Sequence, residues 1–588
     1  MTKQKKIKKQ KSENELILPI YFILAVLPFI TRMLLYDCGL SGYTWCSQNG
    51  IVTDFFTYYK SYIFGLTAII AGILLAIMVL LYRESIKNMR IFIPAGVYLV
   101  CVVLSTIFSV DRHISTIGAM AHFENVLVLF GYVILCVYAY QTVKLQDDFK
   151  KIQKVFLVSI LLMCVVGLLQ MLGQDPMTLR WIQKIIIPAK YQQEYIGALK
   201  SDTVTNAVSL TLFNANFAAV YLVMVLAFFL PEIVSLISEK TQPKTDKSRF
   251  MKKVGALLFL GILFVLIVKT YSRTALVALL VLLLLFGWFY RYQLKKLWLP
   301  LIIGLAVMVG VFVGVDSMSQ FRFLTKISSS VTNLFRSENS YSLDSILTNQ
   351  SDVVIQYNGD TLHLAFADAE TEQSSLCFYQ EDGSNITNLY NAETSTLDLQ
   401  PFQDMTFTVA NDGTDSCIVV IIEDITWRFC YQMGQGYVYR NDFGKTDQLT
   451  KIETFGFKNH EDFASGRGYI WSRSLPLIKQ SLFIGTGPDT FLLMFPQNDY
   501  VGKANNCKNA YTILEKPHNL YLGIAIQTGV VSLVAFLCFF ILYLRNSVTS
   551  YRKLDVTNYM DRVGLGCLFA TIVYLVCGCF IDSSLQTS

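Results

Sequence analysis

Long apolar runs dominate the chain, and polar residues gather in short gaps between them and in one long stretch before the last two. Apolar spans are expected near 16–36, 61–81, 91–109, 118–140, 154–172, 215–237, 254–270, 274–290, 297–315, 519–544 and 562–581. Each approaches the roughly 20 residues a helix needs to cross a hydrocarbon core. The pattern predicts a mainly α membrane protein, a polytopic bundle of about eleven to twelve transmembrane helices. Between the ninth and tenth spans, residues 316–518 are too many for a loop and read as a domain. Within them, short alternating runs begin at Asp352, Thr361, Met405, Cys417 and Thr426, separated by Asn358-Gly359, Asp382-Gly383 and Asp412-Gly413. Such runs predict strands of a small all-β sandwich. After it, Phe463 to Gln480 is predicted helical and Gly485-Thr486-Gly487-Pro488 a turn. The chain then divides into a membrane body (1–335), a β-rich insert (336–462), and a last part (463–588) of external helices with the final two spans.

Composition narrows the class. The chain is 53% hydrophobic and 16% charged, which excludes an ordinary soluble enzyme and a disordered chain. The net charge of +6 hides two unlike parts: residues 340–462 carry 5 Lys+Arg against 20 Asp+Glu, a net of −15, leaving +21 elsewhere. Six lysines precede the first span, which lacks a small-residue cleavage site and reads as a retained anchor with a cytoplasmic N-terminus. Alternating sides from there gives internal segments with 26 Lys+Arg and short external loops with eight. That positive-inside bias places residues 316–518 outside. Cys38, Cys46, Cys377, Cys417, Cys430 and Cys507 then fall outside. Cys38 with Cys46 is the pair expected to form a disulfide there, free thiols being the alternative. No cysteine pair has zinc-ligand spacing and the five histidines are scattered, so no metal site is expected.

A few polar residues interrupt the outer ends of the spans. Arg273 lies in Lys269-Thr-Tyr-Ser-Arg-Thr-Ala275, a polar break between two very apolar runs. An arginine there can snorkel to lipid phosphates, or its planar fork can grip a phosphate in a cavity. Lys516-Pro517-His518-Asn519 precedes the tenth span, placing His518 at a helix N-terminus, where neutral imidazole, the form a general base requires, is favoured. A bland interfacial histidine is the competing reading. Arg467 and Trp471 share a helix face at i,i+4, with Arg473 on another face; a solvated helix would look the same. Asn214 and Asn216 open the sixth span and are often just a cap. Glu124 is the main carboxylate within a span, and Arg112, His113 and His122 are near enough in sequence to pair with it. Cations, one histidine and asparagines on one side of a bundle fit an anionic lipid-linked substrate better than an ion path, which would want carboxylates within the spans.

In order along the chain, the YSRTA hairpin (Tyr271–Ala275), the SGRGYIW helix (Ser465–Trp471), the GTGPDTF turn (Gly485–Phe491) and the PHNLYLGIAIQTGVVSL span (Pro517–Leu533) resemble the O-antigen ligase/O-antigen polymerase family. The similarity covers the membrane body and residues 463–545. It implies a GT-C-like bundle of about twelve spans and an enzyme of cell-surface polysaccharide synthesis at the outer face of the bacterial cytoplasmic membrane. Such an enzyme passes glycan from an undecaprenyl-pyrophosphate carrier to a hydroxyl of a glycan, lipid or protein acceptor, inverting the anomeric centre without metal or other cofactor. Its partners would be these substrates and membrane lipids, with no nucleic acid. By motif match Arg273 and Arg467 correspond to pyrophosphate-binding arginines, His518 to the base, and Asn214 and Asn216 to a looser asparagine motif. Arg473 and Lys516 join them as substrate-binding candidates. The acidic insert departs from the usual pattern, and the chain ends at Ser588, one span short of it. A polymerase would share the donor chemistry. A polysaccharide transporter or flippase is the non-enzymatic alternative, and it would need charges spread toward the cytoplasmic side.

Overall fold

The computed structural model describes residues 16–46, 49–81, 89–197, 207–212, 214–238, 247–291, 342–367, 375–412, 415–507, 509–551 and 557–582, with 555 and scattered positions from 309 to 332. The apolar runs become helices α1 (Leu18–Ala25), α2 (Tyr58–Leu80), α3 (Ile93–Ile107), α4 (Arg112–Ile117), α5 (Val126–Thr142), α6 (Gln146–Met171), α7 (Ala215–Ser238), α8 (Lys247–Lys269) and α9 (Arg273–Phe289). Strands β1 (Leu34–Asp37) and β2 (Ile51–Asp54) form an antiparallel hairpin between α1 and α2. After the insert come α10 (Phe463–Ser474), α11 (Tyr500–Cys507), α12 (Leu520–Gln527), α13 (Val530–Tyr551) and α14 (Tyr559–Cys577). Among the described residues seven helices are long and apolar enough to cross a membrane, and α1 with its following turn, α5 and α9 are shorter apolar helices. A helix satisfies its backbone groups internally, the condition for lying in lipid. The expected mainly helical membrane architecture, with a β-rich region before the last helices, is what the chain adopts. The span expected near 297–315 lies largely outside the described residues.

Helix α7 is the hub. Its Ala218, Ala219, Val220, Leu222, Val223 and Ala227 are fully buried in a core shared with α8, α9 and α14. Small residues allow this closeness: a Cβ on Gly566 of α14 would lie 2.2 Å from the Phe228 carbonyl oxygen, so glycine sets the α7–α14 approach.

Three expected spans are shorter than their apolar runs. The run at 16–36 is helical only over Leu18–Phe29, and its end, Leu34 onward, belongs to β1. Residues 118–125 are not helical; Ala121 and Phe123 are left-handed, and α5 begins only where the Asn125 side chain accepts from the Leu127 and Val128 amides at 3.0 and 3.1 Å. The run at 519–544 breaks at Gly529, whose φ of 103° no other residue adopts readily. The break makes room for the glycine-rich turn: the Thr486 and Gly487 amides donate to the Ile526 and Gln527 carbonyls at 3.0 and 2.9 Å. The helix predicted from Phe463 to Gln480 is likewise interrupted. Ala464, Ser465 and Gly466 are left-handed, and residues 475–480 form a 3-10 helix.

The insert holds two antiparallel meanders. One contains β3 (Leu343–Thr348), β4 (Val353–Tyr357), β5 (Asp360–Phe366) and β6 (Leu376–Gln380); the other runs from β7 (Tyr390–Asn391) through β8 (Thr396–Leu397), β9 (Thr406–Asp412), β10 (Asp415–Ile422), β11 (Ile425–Gln432) and β12 (Gly436–Arg440) to β13 (Thr446–Asp447). Their inward positions, among them Ile355, Leu364, Phe407, Val420 and Trp427, share one core, which period-two alternation dictates. That core continues into Trp45, Leu492, Tyr500 and Ala504 outside the insert. Polar contacts tie the same surface: Lys445 donates to the Ser41 and Tyr43 carbonyls at 2.6 and 2.8 Å, and Thr44 to Asp447 at 2.6 Å. The disulfide expectation is corrected here. Cys417 and Cys430 are bonded across β10 and β11, whereas Cys38 and Cys46 are not joined, Cys46 being turned into the shared apolar core.

Candidate functional site

Two guanidinium groups meet where the loop after the insert touches the start of α9. Arg273 is the first residue of α9, and Arg467 opens the right-handed part of α10 after the left-handed run. Both therefore lie at positive helix ends, where a cation is disfavoured and an anion is welcome. Left-handed alanine and serine cost about 1–2 kcal/mol each; the turn puts Ser465 where its hydroxyl accepts from Arg273 at 2.9 Å. Arg467 donates to the Phe580 and Ala464 carbonyls at 2.9 and 2.7 Å. Among the described residues neither arginine has a carboxylate within ion-pair distance. Burial pulls the Arg467 guanidinium below its ordinary value; Asp582 opposes this and Arg273 adds to it. Arginine stays protonated regardless, so the direction records a cation that is mostly buried and has a second cation near it. The hairpin before α9 is braced by Ser272, which donates to the Asn216 side chain at 2.8 Å. Asn214 accepts from the Asn216 amide at 2.8 Å and is itself exposed, acting as a local turn cap.

His518 lies one residue before the cap of α12 and is itself left-handed. Asn519 accepts from the Tyr521 and Leu522 amides, both at 3.0 Å. The His518 Nδ1 faces the Asp582 carboxylate at 3.1 Å, with the imidazole about a third exposed and the carboxylate buried. Burial alone would raise the Asp582 carboxyl; the hydrogen bond and charge of His518, with Lys516 and His122, outweigh it and hold it below the usual carboxylate range. An ionised aspartate against Nδ1 fixes the tautomer that leaves Nε2 with its lone pair. The Trp471 indole donates to the Pro517 carbonyl at 2.9 Å and its ring lies 6.3 Å from that of Phe580. Helix α10 thus holds both the His518 segment and the end of α14. Lys516 places its ammonium 5.1 Å from the Phe217 ring centroid, next to Asn216.

Behind this lies a buried support. Asp489, of the glycine-rich turn, accepts from the Ala119 and Glu124 amides at 2.6 and 3.0 Å and is paired with His122. Burial would lower the His122 imidazole, but Asp489 and then Glu124 raise it to about 9. Glu124 Oε2 lies 3.6 Å from His122, so of its three proposed partners it is His122 that reaches it; Arg112 instead donates to the Ile107 carbonyl. A 60 Å³ cavity bordered by His122, Glu124 and Asp582 shares Tyr98, Tyr132 and Tyr574 with an apolar 340 Å³ cavity inside the bundle.

Arg473 is placed apart from the arginine pair. It is buried, donates to Asp499 at 3.0 Å, pairs with Glu461, and stacks 4.3 Å from the Tyr469 ring centroid. Its partners hold α10 to α11. Removing one member of a buried pair strands the others, so Arg473→Met should lower unfolding stability by about 3 kcal/mol, read as a drop in the thermal midpoint of the purified protein. An unchanged midpoint would mean the pair is not structural.

Arg273, Arg467, His518, Lys516 and Asn216 are thus brought together. Asp582 and Ser465 were not among the sequence candidates for binding or catalysis. Asp582 had one faint signal, a carboxylate directly after the last apolar run, which is costly unless partnered. Asp489 had none beyond its place in a turn.

Comparison with known proteins bears on this same region. A family model described as O-Antigen ligase matches residues 423–537, which spans part of the insert, α10 to α12 and the first turns of α13. No curated protein and no solved structure matches. The matched segment contains Arg467, Arg473, Lys516 and His518, and over these residues the chain is similar to the O-antigen ligase family.

Proposed function

We propose that this protein transfers glycan from an undecaprenyl-pyrophosphate-linked donor to an acceptor hydroxyl at the outer face of the bacterial cytoplasmic membrane, by a metal-independent inverting displacement. The observation that carries the reading is the arginine pair at two helix N-termini, without an ion-paired carboxylate among the described residues, beside the His518–Asp582 pair. Arg273 and Arg467 hold the pyrophosphate with bidentate hydrogen bonds. The acceptor oxygen attacks the anomeric carbon while the bond from that carbon to the pyrophosphate oxygen breaks. The hydroxyl proton passes to His518 Nε2, and the pyrophosphate leaves on its lipid with the bonding pair, its developing charge met by the arginines. Asp582 stabilises the imidazolium. The apolar 340 Å³ cavity, lined by Phe92, Phe536 and Phe539 among others, offers a place for part of the polyprenyl chain.

Reconstituted protein incubated with lipid-linked glycan and candidate acceptors in excess chelator tests this. Product carrying the inverted anomer is expected; retention, or dependence on added metal, contradicts the mechanism. Running the same donor with a second copy of its own glycan as acceptor separates polymerase from ligase. The orientation has its own test. A cysteine introduced in the 238–253 segment should label only in permeabilised cells, and one in the 340–462 insert should label in intact cells, because basic residues favour the cytoplasmic side; equal labelling refutes it.

A further inference from the structure

A polar cleft lies outside the arginine–histidine site. It encloses 680 Å³ between the outward face of β3 and β4, the irregular strap 449–461, and the start of α11. That volume lies within the range of small-molecule sites. Its walls present side chains that give and accept hydrogen bonds at once: Ser345 and Gln356 from the sheet, Thr454 and Asn459 from the strap, Asn498 and Asn505 from the floor. A sugar hydroxyl is likewise donor and acceptor, and amide and hydroxyl side chains match it on both counts. Charge in the cleft is balanced. Asp344, Glu461 and Asp499 face Lys451, Lys458 and Arg473, and Arg473 is engaged by two of the carboxylates. Such a lining suits a neutral ligand over a polyanion. Phe455, 68% exposed, stands between the lining residues Thr454 and Gly456, its backbone fixed by an amide hydrogen bond to the Ser472 carbonyl at 2.9 Å. That bond holds the strap against α10, so Thr454 and Gly456 keep their places in the cleft wall.

The cleft is coupled to the arginine pair through the chain. Glu461, in its wall, is four residues before Ser465, a span of at most about 14 Å. It also accepts from Asn506 Nδ2 at 3.1 Å, and a Cβ on Gly466 would lie 3.6 Å from the Asn506 carbonyl oxygen. We propose that the insert and the strap 449–461 form a glycan-binding cleft that seats a neutral oligosaccharide and delivers its end to the arginine–histidine site. This assignment rests on the glycan-transfer reading above for the ligand's role, though not for its chemistry.

The test uses the full-length protein in detergent and the envelope polysaccharide of the cell that makes it, released from lipid by mild acid, end-labelled and sized. Wild type should bind it. Ser345→Trp, which fills the cleft from β3, should weaken binding about tenfold or more, the usual consequence of blocking a central contact. Should that variant fold poorly, Thr454→Trp decides, because that side chain lines the cleft from the strap and is exposed; it too should weaken binding. In transfer assays both should raise KM while kcat at saturation holds. A rise for lipid-free acceptor assigns the cleft to the acceptor glycan, and a rise for lipid-linked donor assigns it to the donor glycan. Polysaccharide binding unchanged by Ser345→Trp and Thr454→Trp overturns the cleft, whatever the transfer assay gives. Wild type that binds through the cleft but transfers nothing overturns the transferase reading and leaves the cleft standing.

Discussion

Glycan transfer by the His518→Ala protein should fall by about 10²–10⁴-fold, the usual contribution of a general base, while donor binding and membrane insertion stay close to wild type. The imidazole is about a third exposed, so its loss opens no apolar cavity, but it strands the buried Asp582 carboxylate; the thermal midpoint, read beside the transfer rate, separates lost stability from lost catalysis. Asp582→Asn is the companion. It keeps the shape and removes the charge that fixes the tautomer, and it should lower kcat by about 10²-fold with little change in the KM for donor. A histidine that only decorates the interface predicts neither result. Transfer by His518→Ala within about twofold of wild type is far short of the loss a base should cause, and would remove His518 from the mechanism.

Arg273→Lys and Arg467→Lys should fail differently. Lysine keeps the charge but not the planar fork, so each variant should bind donor more weakly as well as transfer more slowly, by about tenfold or more in kcat/KM, or roughly 1.4 kcal/mol. The structure sharpens the contrast between the two. Arg467 holds the Phe580 and Ala464 carbonyls, so its replacement should also loosen the end of α14 that presents Asp582. Arg273 makes its contact to the Ser465 hydroxyl, and its replacement should be felt in donor affinity with less effect on the His518–Asp582 geometry. An arginine that merely snorkels to lipid tolerates lysine. Wild-type donor affinity in both variants would contradict the pyrophosphate assignment.

Much of this was legible in sequence because the signals were local. A lone arginine in an apolar hairpin, and a histidine between a proline and a capping asparagine, stand out without any tertiary knowledge. Alternation with turn residues was enough to place a β insert before the last helices. What stayed hidden depends on contacts between distant segments. Asp582 gains meaning only when α14 brings it beside His518. Arg473 looks like Arg467 along the helix, and only Asp499 and Glu461 turn it into a brace. The Cys417–Cys430 bond follows from the register of β10 and β11, which spacing along the chain does not give. Gly529 breaks an apolar run that reads as continuous, since a glycine inside a helix costs only about 1 kcal/mol; the cause is the turn at 485–489 packing into the break.

The central claim is that the arginine pair and His518 together cleave a glycan from a pyrophosphate lipid. The most direct measurement is release of undecaprenyl pyrophosphate from labelled donor in proteoliposomes, followed in parallel with glycan gained by the acceptor. Wild type should release one carrier lipid for each glycan transferred. His518→Ala should bind the donor and release almost none, and Arg273→Lys should need more donor to reach any given rate. Carrier release by His518→Ala at the wild-type rate, or glycan transfer without carrier release, would contradict the account.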